Sequence, residues 1–139
     1  MKQHKRWSAK PLREVPLVEK EGPGDPDWFP LQHHFGLTAF GVNVYVAAAA
    51  GDALLERHDE TGSGQEELYL VTAGSARFEL DGEEVVAEAP FVVAVPGAAV
   101  AREARALEPG TTVVALGGEP RERFESSWQS HHFDGIPHA

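Results

Sequence analysis

The residues best equipped for chemistry in this sequence are His58, Glu60 and Glu67. Residues two apart on a strand point to the same side, so His58 and Glu60 can face one target. An unpaired, buried Glu67 is costly. If it points inward it needs a partner: a metal ion, Arg57, Arg77, Arg102 or water. Arg102, if it enters the interior, favours an anionic ligand or pairs with Glu67. In the plainer reading, His58-Asp59-Glu60 ends a strand, Thr61 to Gln65 is a solvated turn, and Glu66 and Glu67 begin the next strand.

Other groupings are weaker. His33-His34 and His131-His132 are adjacent pairs. Neighbours on a strand face opposite sides, so neither pair is a good chelate, although either could fold over a barrel mouth beside His58. Asn43 and Tyr45 share a strand face and are candidate pocket residues, together with Tyr69 and Arg102. Tyr45 also reads as core with its hydroxyl at the rim. There is no cysteine to act as a nucleophile. No phosphate-binding loop or nucleophile elbow occurs, and nothing supports a Ser-His-Asp triad.

The elements that must position these residues fit within one domain of 139 residues. The net charge is -10. Lys2, Lys5, Arg6, Lys10 and Arg13 make the first thirteen residues purely basic, and the remainder carries 7 basic and 22 acidic residues, a balance of -15. An acidic body repels phosphate backbones, so nucleic acid is not an expected partner. The absence of cysteine suits a reducing compartment. Met1 to Arg13 is polar and lacks the apolar region of a signal peptide. No apolar run approaches the ~20 residues needed to cross a bilayer. A soluble cytoplasmic protein with no membrane partner is the expectation.

Residues 1–30 read as an irregular N-terminal arm. Five prolines interrupt it, Pro16 to Lys20 is a candidate edge strand, and Trp28 and Phe29 are candidate anchors to the body. Residues 31–118 read as the barrel. From Leu37 onward, short runs rich in Val, Phe, Tyr and Thr alternate with turn residues. The expected strands are Thr38–Ala47, Ala53–His58, Glu67–Thr72, Ser75–Leu80, Glu84–Ala89, Phe91–Val95, Val100–Arg105 and Thr111–Leu116. Asp81-Gly82 predicts a two-residue hairpin of type I′. Its register opposes Phe78 to Val85 and Ala76 to Ala87 on a buried face, and Glu79 to Glu84 on a wet one. Residues 119–139 read as a C-terminal helix over Pro120–Gln129 and a tail. Many short strands with tight turns mean an all-β sandwich or closed barrel.

The segment from His58 to Gly74 resembles the first motif of the cupin superfamily. Gly51 stands seven residues before His58, and six residues separate Glu67 from Gly74. Phe78 to Glu84 and the Val95-Pro96-Gly97 turn resemble the family as well. The likeness spans roughly residues 38–117. It implies a double-stranded β-helix, a jelly-roll barrel often seen as a homodimer. In the family, His-x-His and a Glu supply three metal ligands, and a second motif, Pro-x-Gly-x-x-His, supplies a fourth. Here Glu60 replaces the second His, and Gly62, Ser63 and Gly64 lengthen the gap to Glu67. Val100 or Ala101 falls at the last His position, and no histidine occurs between His58 and His131.

The ligand set the resemblance leaves is His58, Glu60 and Glu67. The cofactor it implies is a divalent metal: Mn, Fe, Ni or Zn. Its oxygen-rich donors favour Mn²⁺ or Fe²⁺ over Zn²⁺. Two functions are therefore expected. One is a cupin barrel that binds a small molecule, with an incomplete metal site and no catalysis. The other is a metal-dependent enzyme of dioxygenase or isomerase type.

Overall fold

The computed structural model describes residues 6–121, 124–125, 127 and 130–139. Among the described residues, nine antiparallel strands build two sheets. The first, in the order β1-β2-β9-β4-β7, takes β1 (Asp27–Phe29), β2 (Gly41–Val46), β9 (Thr112–Gly118), β4 (Glu66–Ala73) and β7 (Phe91–Val95). The second, in the order β3-β8-β5-β6, takes β3 (Ala53–His58), β8 (Arg102–Ala106), β5 (Ser75–Leu80) and β6 (Glu83–Glu88). This is the all-β jelly-roll architecture expected. Among the described residues, no helix is long and apolar enough to cross a membrane.

Alternation along each strand builds the core. Tyr69 and Val71 of β4, Val113 and Ala115 of β9, and Phe78, Ala76, Ala87 and Ala104 of the second sheet meet in one buried cluster. Tyr69 and Phe78 pack with ring centroids 5.9 Å apart. The β5–β6 hairpin has the expected register: Phe78 opposes Val85, Ala76 opposes Ala87, and Glu79 opposes Glu84. Asp81 and Gly82 have φ of +49° and +85°, as a type I′ turn requires.

The structure departs from the sequence reading at the N-terminal side. Residues 16–20 form no strand, although Val18 N–H donates to the carbonyl of Trp28 at 3.0 Å. The edge strand is instead β1, whose Trp28 and Phe29 oppose Tyr45 and Val44 of β2. The histidine pair His33-His34 lies on a short helix, α1 (Leu31–Phe35), which ends at Gly36 with φ +67°. Phe29, Val15 and Val44 form a second buried cluster, with Leu31 and Phe35 packed against it. The arm and α1 therefore cover the outer side of β2, and a five-residue helix is stable there because packing, not propensity, holds it. The helix expected over Pro120–Gln129 lies largely outside the described residues. Beyond it, Ser130–Phe133 is a 3₁₀ turn.

Candidate functional site

His58 is the last residue of β3 and opposes Arg102, the first of β8. Glu67 and Tyr69 point inward from β4, and Asn43 and Tyr45 from β2. Together with Glu60, Leu55 and Gln65, they line a cavity of about 200 Å³ in the barrel mouth. Glu60 lies beyond the end of β3, so strand alternation does not explain its placement. The loop does. Glu60 N–H donates to the Ala98 carbonyl at 2.8 Å, and the Glu60 carbonyl accepts from Ser63 and Gly64 N–H at 3.2 and 2.6 Å. The Ser63 hydroxyl donates to Glu60 Oε2 at 2.6 Å, while Glu60 Oε1 lies 3.2 Å from His58 Nε2. The residues that lengthen the gap before Glu67 thus hold Glu60 against His58. Asp59 stiffens the same loop by accepting from the Thr61 N–H and hydroxyl at 3.0 and 2.7 Å.

His58 Nδ1 lies 2.7 Å from the Glu56 carbonyl. A carbonyl only accepts, so Nδ1 carries a hydrogen and Nε2 is left to face the two carboxylates. Glu67 Oε1 is 3.6 Å from Nε2. That same oxygen accepts from the Tyr69 hydroxyl at 2.8 Å and from Arg102 Nη1 at 2.7 Å. Arg102 is fully buried (0 % exposed). Its Nε and Nη2 donate to the carbonyls of Val100 and Gly97 at 3.0 and 3.1 Å. Of the partners open to Glu67 in the sequence, the structure selects Arg102. Arg57 and Arg77 lie 3.8 and 3.9 Å from the outer carboxylates Glu79 and Glu84.

The electrostatics follow from these contacts. Burial raises the pKa of Glu60, but the hydrogen bond from Ser63 and the charges of His58 and Arg102 outweigh it, and the net shift is downward. Burial opposes the charge on Arg102, yet Tyr69 and Glu67 more than compensate and its pKa rises. Tyr45 is pushed up to about 12, by burial first and then by the charge of Glu67. Tyr69 is raised by burial and by its bond to Glu67. Both phenols therefore keep their protons at neutral pH. Tyr69→Phe removes a hydrogen bond to a charged acceptor and is expected to cost about 1.5–3 kcal/mol, read from urea unfolding.

The donor atoms of His58, Glu60 and Glu67 lie within 4.8 Å of one another, close enough to hold a metal ion. In spacing they suit a divalent cation, and an Nδ1–H on a carbonyl is the usual support for a ligating Nε2. In charge the site does not call for one. Arg102 already brings a cation to Glu67 Oε1, and that oxygen already accepts two hydrogen bonds. Among the described residues, His33, His34, His131 and His132 do not join the cluster. His34 Nε2 accepts from Lys10 at 2.8 Å, and the rings of His131 and His132 lie 4.3 Å apart.

Sequence reasoning missed Gln65 and the contact between Trp28 and Asn43, in which the indole Nε1–H donates to Asn43 Oδ1 at 2.9 Å. The register Trp28↔Tyr45 creates that contact, and no local pattern signals a three-residue edge strand.

No protein-family model matches the chain, and no curated protein matches it in sequence. Solved structures do resemble it. A cupin protein from Bacteroides fragilis is 16% identical with a TM-score of 0.65, and each chain is covered to 100%. A sugar phosphate isomerase of the cupin superfamily from Silicibacter pomeroyi is 19% identical with a TM-score of 0.65, covering 81% of this chain and 76% of that one. A variant of Streptomyces PAC13 with uridine is 14% identical with a TM-score of 0.58, covering 82% and 83%. PAC13 is described as a nucleoside dehydratase. The chain spans 60% of the length of a further structure, from Acidithiobacillus ferrooxidans. These likenesses establish the cupin fold.

Proposed function

We propose that this cupin-fold barrel binds a small, polar, hydroxylated molecule in its mouth without needing a metal ion, with His58 equipped to exchange a proton with it. The observation that carries the reading is the buried Arg102 guanidinium 2.7 Å from Glu67. It neutralises one of the two carboxylates, and His58 Nε2 lies 3.2 Å from the other. An imidazole nitrogen facing both the cavity and a carboxylate has the geometry of a general base or acid. Asn43, Gln65 and the protonated Tyr45 supply hydrogen-bonding groups around the cavity. The neighbours described as a sugar phosphate isomerase and as a nucleoside dehydratase with uridine support a sugar-like ligand.

Ligand-observed NMR with sugars and nucleosides, on protein dialysed against chelator, tests this. Binding should survive the dialysis, and His58→Ala should weaken it by roughly tenfold, the loss of one good polar contact. Binding that appears only on adding metal sinks the reading.

The donor spacing favours a second reading, a Mn²⁺ or Fe²⁺ site on His58, Glu60 and Glu67. An ion there would supply Lewis-acid polarisation of a ligand oxygen. Stoichiometric metal in protein purified without chelators would decide for it.

A further inference from the structure

The barrel mouth does not end at the cluster. A second cavity, of about 390 Å³, opens between β3 and residues 18–28 of the arm. Tyr45, Leu55 and His58 border both this cavity and the mouth, so a ligand in either space can reach His58. The mouth alone, at about 200 Å³, is smaller than the roughly 300–1,000 Å³ typical of small-molecule sites. A ligand that touches His58 has room to extend into the side cavity.

Trp28 forms one wall of that extension. It is 39 % exposed and lies 5.9 Å from the Tyr45 ring, at an interplanar angle of 44°. It also fixes what the mouth offers. An indole N–H only donates, so the Trp28 bond claims Asn43 Oδ1 and turns the Asn43 amino group away as a donor. Asn43 lines the mouth cavity. One residue thus supplies a flat apolar surface and sets the polarity of a hydrogen-bonding group beside it.

The charges around the side cavity narrow the ligand further. Glu19, Glu21, Asp25 and Glu56 outnumber Lys20 and Arg57. Both cations already have partners: Lys20 lies 3.1 Å from Asp27, and Arg57 lies 3.8 Å from Glu79. A phosphate tail would meet net negative charge there.

We infer that the ligand is an uncharged polyhydroxylated molecule carrying a planar ring, with the ring against Trp28 and an oxygen acceptor on the Asn43 amino group. This rests on the mouth being the binding site, as proposed above. Trp28 is then a specificity-determining residue through its ring and a positioning residue through Asn43.

Isothermal titration of the full chain with uridine, D-ribose and uridine 5′-phosphate tests the inference. Uridine should bind roughly tenfold more tightly than ribose, the effect of one stacked ring. Uridine 5′-phosphate should bind more weakly than uridine. Trp28→Ala should erase the advantage over ribose. Trp28→Phe keeps a ring and should retain most of that advantage while weakening both probes through the lost bond to Asn43. It also provides a variant that preserves packing. Asn43→Asp should weaken both probes and leave their ratio unchanged. Equal affinity for uridine and ribose, tighter binding of the phosphate, an unchanged ratio in Trp28→Ala, or no uridine binding at millimolar concentration each overturns the inference. If ribose still binds and depends on His58, the site itself stands and only the ring and charge assignments fall. If binding is indifferent to His58, the assignment of the site falls.

Discussion

Arg102→Met is expected to destabilise the protein by about 3–5 kcal/mol. The side chain removed is fully buried, and it leaves Glu67, only 12 % exposed, without its guanidinium partner. It also strips partners from the carbonyls of Gly97 and Val100, so the turn that leads into β8 loosens. The charge on Glu67 should account for most of the loss. Adding Glu67→Gln to Arg102→Met should therefore recover more than half of it, while Glu67→Gln alone strands the guanidinium. Urea unfolding of the four proteins closes the cycle. A double variant no more stable than Arg102→Met would mean that packing, not charge pairing, is what Arg102 supplies. The same single variant should bind Mn²⁺ at least on the order of tenfold more tightly than the parent, because a fixed positive charge a few ångströms from the donors has gone. Unchanged metal affinity would count against the idea that the guanidinium stands where an ion would act.

Gly74→Ala is the second large loss, roughly 2–5 kcal/mol. Gly74 joins β4 to β5 with φ of +71°, a region that costs an L-residue about 1–2 kcal/mol. A Cβ there would also press on the Thr111 side chain and lie 2.8 Å from Thr111 Cα. Thr111 cannot yield easily. It is fully buried, and its hydroxyl accepts from Ser75 N–H at 3.2 Å and reaches the Ser75 and Glu108 carbonyls at 3.0 and 2.7 Å. Overpacking of this kind adds about 1–3 kcal/mol. Gly82 provides the contrast. Its φ is +85°, but a Cβ there meets nothing within 4 Å, so Gly82→Ala should cost only the backbone strain, about 1–2 kcal/mol. Equal losses at the two sites would show that backbone strain, not the approach of Thr111, sets the cost.

Gly74 also shows what the sequence could reveal. Its spacing from Glu67 was legible as a motif, but the reason for the glycine was not, because Thr111 is 37 residues away along the chain. The hairpin at Asp81-Gly82 was fully legible, since a two-residue turn of that chemistry fixes the pairing on both sides. The helix Leu31–Phe35 was not. Five residues are too few for a helical period, and the contacts that hold it come from β2 and the arm. His58, Glu60 and Glu67 could be named as candidates from residue type and spacing. Their geometry could not, because Glu60 is placed by a loop rather than by strand alternation. Nor could sequence rank Arg57, Arg77 and Arg102 as partners for Glu67. That choice depends on which strand turns its arginine inward: Arg102 of β8 is buried, whereas Arg57 of β3 and Arg77 of β5 are exposed.

The Arg102 side chain has one further consequence, which concerns supply rather than geometry. A cation tethered through its own backbone has no dissociation constant. It cannot be stripped by a chelator, displaced by a more competitive ion or changed in oxidation state. Nor can it open a coordination position for a ligand or alter its coordination number during a reaction. On the metal-free reading proposed above, a barrel built this way gives up Lewis acidity at the mouth, and in exchange its occupancy is independent of how much metal its surroundings contain.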